Sequence, residues 1–285
     1  MYRPAILIAG GDLRQLYCAA RLAREYEIAV TGFDSNAIPE ELSLPCADPD
    51  RSYDFAVLPV PPLDGKGNIS TPCSSAPLYT RTAADMLSPR GCILAGGVNR
   101  DLRECFPRHE VCDYLLREEL NLKNAVPTAE GAVEIALGEL PVTLSGLDVL
   151  IVGMGRIGTA LAGILKGFGA HITAAVRDGK GAARARLHGI DSVPVKELRG
   201  GYGLVFNTAP QLIFGRELLS RFGRDTLFID LASKPGGIDP EAAAEAGVRV
   251  IWALGLPGKT APATAGEMIA ETVSSIIKER GGEIE

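Results

Sequence analysis

The chain has 285 residues, 46% hydrophobic and 22% charged, with 29 Lys and Arg against 35 Asp and Glu and a formal net charge of −6 at pH 7. That length suits two domains, each able to bury a core without metals or disulfides, and no segment is poor enough in apolar residues to read as disordered. The acidic balance argues against a nucleic-acid partner, whose phosphates need a surplus of cations on one face, so any anionic ligand must meet a local basic pocket.

Six cysteines (Cys18, Cys46, Cys73, Cys92, Cys105 and Cys112) show neither a C-x-x-C pair nor metal-ligand spacing. They read as reduced, mostly buried thiols, with no metal site. Met1 to Ala9 has one arginine and a short apolar run, unlike a secretory signal. No apolar stretch has the length of a membrane span, and a cytoplasmic protein is expected.

Taken in order, Ala5–Ala9 is an apolar run of strand length, followed by Gly10-Gly11-Asp12 and a helical pattern from Leu13 to Glu25. Further strands are expected at Ile28–Phe33, Phe55–Val60, Cys92–Ala95 and Glu110–Tyr114. Between Pro59 and Pro77, prolines and glycines exclude regular structure over a length unusual for a connector, which fits a binding loop or a surface excursion. After Pro127, Thr128 is placed to cap a bridging helix, 128–138, that Pro141 stops; its first turn is expected to face a cleft between domains.

The second half repeats the alternation. Leu147–Val152 is a strand, Arg156–Phe168 a helix and His171–Val176 a strand, with more strands at Leu204–Asn207, Thr226–Leu231 and Val248–Ala253. Helices are expected around Ala182–Leu187, Arg216–Arg221 and Pro240–Ala246, and a last one over Ala261–Lys278. Strands alternating with helices imply parallel sheets. The expected fold class is therefore α/β, two doubly wound Rossmann-like domains with parallel sheets flanking a cleft. The first domain covers 1–125 and is completed by the C-terminal helix, 265–285; the second, 126–264, is entered through the bridging helix.

Gly153-Met154-Gly155-Arg156-Ile157-Gly158 directly follows a strand and opens a helix. In that context G-x-G-x-x-G is a dinucleotide fingerprint, with a tight turn, a close approach of backbone to pyrophosphate, close helix packing, and free N–H groups facing the anion. Where NAD sites usually end the second strand with a carboxylate, this chain has Arg177-Asp178. Arg177 can pair with a 2′-phosphate, and Lys180, Arg184 and Arg186 add to the field, which favours NADP, with NAD possible if Asp178 holds the ribose instead.

Asn207-Thr208-Ala209-Pro210 and the stretch from Asp230 to Gly237 each follow a strand, at the edge where open α/β sheets bind ligands. Both are similar to edge loops of D-2-hydroxyacid dehydrogenases. Those enzymes use a late histidine as general acid, whereas His109, His171 and His188 all read as structural or surface groups.

Gly10-Gly11-Asp12-Leu13-Arg14-Gln15, Pro127-Thr128-Ala129-Glu130-Gly131, Leu231-Ala232-Ser233-Lys234-Pro235-Gly236-Gly237 and Leu256-Pro257-Gly258-Lys259 together resemble the A-subunit family of dipicolinate synthase, over nearly the whole chain. The resemblance implies NADP-linked oxidation of dihydrodipicolinate to dipicolinate (pyridine-2,6-dicarboxylate) in the mother cell of a sporulating bacterium, beside a flavoprotein-like B subunit. Self-association into a homo-oligomer is left open. A substrate with two carboxylates needs cationic or N–H donors. The candidates are Arg14 and Lys234, with Lys66, Arg100 and Lys259 behind them, and Ser70, Thr71 and Thr128 as hydrogen-bonding groups. Asp12 and Glu130 are candidate proton acceptors, or else a helix-terminal carboxylate and a first-turn dipole partner. The competing readings are another dehydrogenase of small carboxylic acids, resembling alanine dehydrogenase, and a cofactor-binding regulatory protein without turnover.

Overall fold

The computed structural model describes residues 3–281. Residues 1–2, and residues 282–285 at the end of the expected last helix, lie outside the described residues. The chain divides into two compact units, Met1–Asn124 with Ala261–Glu285, and Ala125–Thr260.

In the first unit, β1 (Ala5–Ala9) is buried at every position, because strands flank it on both sides and apolar clusters cover both faces. There follow α1 (Leu13–Leu22), β2 (Glu27–Thr31), β3 (Tyr53–Val57), α2 (Thr80–Asp85), β4 (Leu87–Ala95), α3 (Arg100–Cys105) and β5 (Glu110–Asp113). All strands pair in parallel in the order β2-β1-β3-β4-β5, and that order reverses between β1 and β3. β4 begins five residues before the predicted Cys92; its register against β3 shifts over this stretch, so the early part, with Pro89 and Gly91, carries no alternating pattern.

α4 (Glu118–Glu139) is one helix of 22 residues with Pro127 inside it. Thr128 is therefore not an N-cap. A proline deletes one helical hydrogen bond, here to the Lys123 carbonyl, and the buried apolar positions Ala125, Ala129, Ala132, Val133 and Ala136 continue at helical spacing across it. The boundary between the two units falls in this weakened turn.

The second unit contains β6 (Asp148–Val152), α5 (Arg156–Gly167), β7 (His171–Val176), α6 (Gly179–Leu187), β8 (Asp191–Pro194), β9 (Leu204–Asn207), α7 (Arg216–Leu219), β10 (Leu227–Asp230), α8 (Pro240–Ala246), β11 (Arg249–Trp252) and α9 (Leu256–Thr260). The parallel order β11-β10-β9-β6-β7-β8 is the dinucleotide-fold order, with its switch point between β6 and β9. β8 was not predicted. It is a four-residue edge strand, Asp-Ser-Val-Pro, mostly exposed, and an edge tolerates the polar residues and proline that disguise it.

The last helix predicted from Ala261 is found as α10 (Pro262–Gly281), preceded by the short, unpredicted α9; Pro262 disfavours a helical Ala261 and suits a helix start, which separates the two. α10 packs along α1 and inserts Ile269, Ala270, Val273, Ile276 and Ile277 into the core of the first unit. Ion pairs Lys278–Glu25, Arg280–Glu110, Arg117–Glu279 and Lys123–Glu271 line its exposed side.

Candidate functional site

At the switch point of the second unit, β6 runs into Gly153, which adopts φ +94°. A Cβ there would sit 2.7 Å from Thr208 Oγ1, and one on the buried Gly158 would collide with the Gly153 carbonyl oxygen. Packing therefore fixes both glycines. Gly155, the N-cap of α5, differs: its backbone angles suit any residue, and a Cβ would meet nothing within 4 Å. Its empty side is the space a pyrophosphate would take, in front of the first-turn N–H groups of Arg156, Ile157 and Gly158, which have no acceptor inside the helix.

A groove of about 960 Å³ runs from Gly153, Met154 and Gly155 along the carboxyl edge of the sheet. It is lined by Arg177, Lys180 and Arg184 after β7, by Pro194, Val195 and Lys196 at the end of the neighbouring β8, and by Ala209 and Pro210 after β9. Arg184 reaches over the fingerprint turn to the Met154 carbonyl, at 3.2 Å. Asp178, the only carboxylate lining the groove among the described residues, accepts the Gly181 N–H as N-cap of α6. Arg186 does not share this groove and belongs to a separate surface pocket on α6. Lys196 escapes a reading of the sequence because the strand that delivers it does.

The edge loops correct the sequence reading in one respect. Asn207 and Asp230, expected to contact the dinucleotide, are 0% and 3% exposed. Their side chains close on each other: Asp230 accepts from Asn207 Nδ2 at 2.7 Å, the Ala232 N–H at 3.0 Å and the Gly237 N–H at 2.8 Å. They shape the loops and present no atoms to the groove. Thr208 donates to the Val152 carbonyl at 2.9 Å, clamping the glycine turn from the neighbouring strand.

Elsewhere in this unit, Lys234 and Lys259 are exposed, on the loop after β10 and on α9. Thr128 and Glu130 sit in mid-helix on α4, half-buried and exposed respectively, so Glu130 is no first-turn dipole partner.

In the first unit the switch point is built by Gly10-Gly11-Asp12 after β1 and Pro59-Val60 after β3. Asp12 caps α1 and holds Arg14 in a two-point ion pair, with Arg14 Nη2 2.8 Å from Oδ2 and Nε 2.9 Å from Oδ1. Arg14 Nη2 also reaches the Val60 carbonyl at 3.0 Å. The proline-rich segment folds back over this turn. The Gly11 N–H donates to the Ser70 carbonyl, and Asp34 collects Ser74 and Ser75; the Ser75 N–H chiefly holds the Asp34 carboxyl below its ordinary range. Asp12, Arg14, Ser70 and Thr71 thus gather around one turn. Arg100 is outside this group, on α3, fully exposed and paired with Glu104, and Lys66 lies at an exposed turn capped by Asp64.

His171 and His188 are exposed and His109 is half-buried. Cys18 and Cys92 are buried, but Cys46 is exposed, against the expectation of mostly buried thiols. Burial pushes the Cys92 thiol up to about 12. Among the described residues no helix is long and apolar enough to cross a membrane.

Fold and groove define an NAD(P)-dependent oxidoreductase of two Rossmann-like domains. Residues 128–246 match the NAD-binding domain of D-isomer specific 2-hydroxyacid dehydrogenases, and residues 5–114 match the N-terminal domain of the dipicolinate synthase A subunit. End to end, the chain is similar to that A subunit: it is 28% identical to the Bacillus subtilis protein over 96% of both sequences. The crystal structure of the dipicolinate synthase A chain from Bacillus subtilis superposes with a TM-score of 0.86 over 99% of this chain and 98% of that one, at 28% identity. The corresponding protein from Bacillus halodurans gives 0.85 over 96% and 97%, at 27% identity. An L-alanine dehydrogenase shares the fold at 12% identity, with a TM-score of 0.68 over 98% of this chain and 90% of that one.

Proposed function

We propose that this chain is the dihydrodipicolinate-oxidising A subunit of a dipicolinate synthase and that NADP is its preferred dinucleotide. The observation that carries the reading is the match of residues 5–114 to the N-terminal domain of the dipicolinate synthase A subunit. A dinucleotide domain is common to many dehydrogenases, and the other domain is what distinguishes their substrates. NADP is supported by the groove, where Arg177, Lys180, Arg184 and Lys196 outnumber the single carboxylate of Asp178 among the described residues.

Bound NADP supplies a hydride acceptor. Oxidation of the dihydropyridine gives up one hydride and one proton and yields an aromatic ring, so positioning matters more than a strong base, and the absence of a catalytic histidine is no obstacle. In the first unit Arg14 is the candidate for a carboxylate of the diacid, its guanidinium held by Asp12 and the Val60 carbonyl. In the same unit Ser70 and Thr71 are candidates to supply hydrogen bonds, and in the second unit Lys234 is a candidate cation for a substrate carboxylate. Asp12 or Glu130 takes the proton. The protein works beside a flavoprotein-like B subunit in the cytoplasm of a sporulating mother cell.

Purified chain mixed with NADP and enzymatically generated dihydrodipicolinate, with and without the B subunit, is expected to form NADPH. Turnover of NADH with pyruvate and ammonia, and none with dihydrodipicolinate, would refute the assignment in favour of an alanine dehydrogenase-like enzyme. For the dinucleotide, Arg177→Asp is expected to weaken NADP far more than NAD in a binding titration; equal losses would remove Arg177 from the 2′-phosphate.

A further inference from the structure

Arg177 alone makes a poor clamp for a phosphate. Its side chain is 81% exposed, and its nearest carboxylate, Asp178, is 4.0 Å away. One cation on an open surface is screened and gives little discrimination. A second cation lining the same groove changes this, because a phosphate held by two donors gives up more water and accepts charge-assisted hydrogen bonds from each.

The sheet register supplies that second cation. β7 and β8 pair in parallel with Val176 beside Pro194, so the strands leave the same edge side by side. Arg177 is the first residue beyond β7. Lys196 is the second beyond β8, on a short 3₁₀ turn, Val195–Glu197. Both line the groove, as does Lys180 in the first turn of α6. Among the described residues Lys196 and Lys180 form no ion pair, whereas Arg184 is engaged with the Met154 carbonyl. The carboxylate that could have turned toward a ribose is held on the Gly181 N–H.

We infer that Lys196 is a specificity-determining residue that completes the 2′-phosphate site beside Arg177, so that the choice between NADP and NAD is set from the unpredicted edge strand as well as from the end of β7. This rests on the proposed preference for NADP, and it adds that the preference fails when the β8 side is neutralised while Arg177 stays in place.

The test is calorimetric titration of the full chain with adenosine 2′,5′-bisphosphate and with 5′-AMP, for wild type, Lys196→Ala, Lys196→Arg and Arg186→Ala. Arg186 lies on α6 outside the groove and serves as the control. Wild type is expected to bind the bisphosphate more tightly. Lys196→Ala is expected to lose about tenfold or more for that ligand, the size of one charge-assisted hydrogen bond to phosphate, while 5′-AMP affinity stays unchanged and reports an intact fold. Lys196→Arg should restore most of the loss. If wild type prefers the bisphosphate and Lys196→Ala behaves like Arg186→Ala, the role of Lys196 is overturned and the NADP reading stands. If wild type shows no preference for the bisphosphate, both fall.

Discussion

Two of the fingerprint glycines can be separated experimentally, because one is needed by the protein and the other by its ligand. In Gly158→Ala the new methyl lies inside the contact distance of the Gly153 carbonyl oxygen and 3.4 Å from Ile151 Cγ2, so α5 must move off the β6 turn. Overpacking of this kind costs roughly 1–3 kcal/mol. For a domain in this size range that corresponds to a fall in Tm of roughly 2–12 °C, and the displaced turn loses dinucleotide affinity as well. Gly155→Ala meets no neighbour within 4 Å, at a φ of −84° that alanine adopts freely. Its stability should hold or rise by about 0.4–1 kcal/mol, while the methyl fills the space left for the pyrophosphate and abolishes binding. The assay is differential scanning fluorimetry of the cofactor-free chain beside calorimetric titration with NADP and NAD. If Gly155→Ala bound either nucleotide with wild-type affinity, the pyrophosphate could not lie against that face of the turn.

Gln15 is 2% exposed, and its amide makes no hydrogen bond of ordinary geometry among the described residues; its polar neighbour is the Tyr114 hydroxyl, which donates to the Leu58 carbonyl. Gln15→Met removes this desolvated amide at similar volume and should stabilise the chain by about 1–3 kcal/mol in urea unfolding; a loss of stability would mean that the amide is satisfied in solution. Lys234→Ala is expected to raise KM for the diacid while dinucleotide affinity stays level, and an unchanged KM would count against a carboxylate at that lysine. Glu25, Glu110 and Glu279 are held below the ordinary carboxylate range chiefly by Lys278, Arg280 and Arg117. Depressed values mean stability that is full above the unfolded glutamate range and is lost as pH falls through the lowered folded values. Hydrogen exchange along α10 and α1 should therefore accelerate below that range and with added salt; protection independent of pH would show that the apolar face alone holds the helix.

The sequence made most of the second domain legible, because its central strands are unbroken apolar runs and a glycine signature marks the β6–α5 turn. What it hid was conditional on tertiary context. β8 has too few apolar residues to register without its neighbour, and Lys196 was hidden with it. Thr128 looks like a helix cap until the apolar stripe on both sides of Pro127 is seen to be continuous. Asn207 and Asp230 sit at the edge where ligands bind, yet sequence position cannot distinguish a side chain that faces outward from one that braces the loop beneath. Arg14 and Asp12 stand out separately in the sequence, and only the fold shows that each occupies the other.

The split composition of the first unit also sets an order of events at the ribosome. Synthesis is vectorial and domains fold as units. Residues 125–260 form a contiguous stretch that can collapse as soon as it emerges, whereas the core beneath α1 lacks five apolar side chains until the last segment, α10, is made. The half that begins first therefore finishes last, and its nascent apolar surface stays uncovered while the whole nucleotide-binding half is translated.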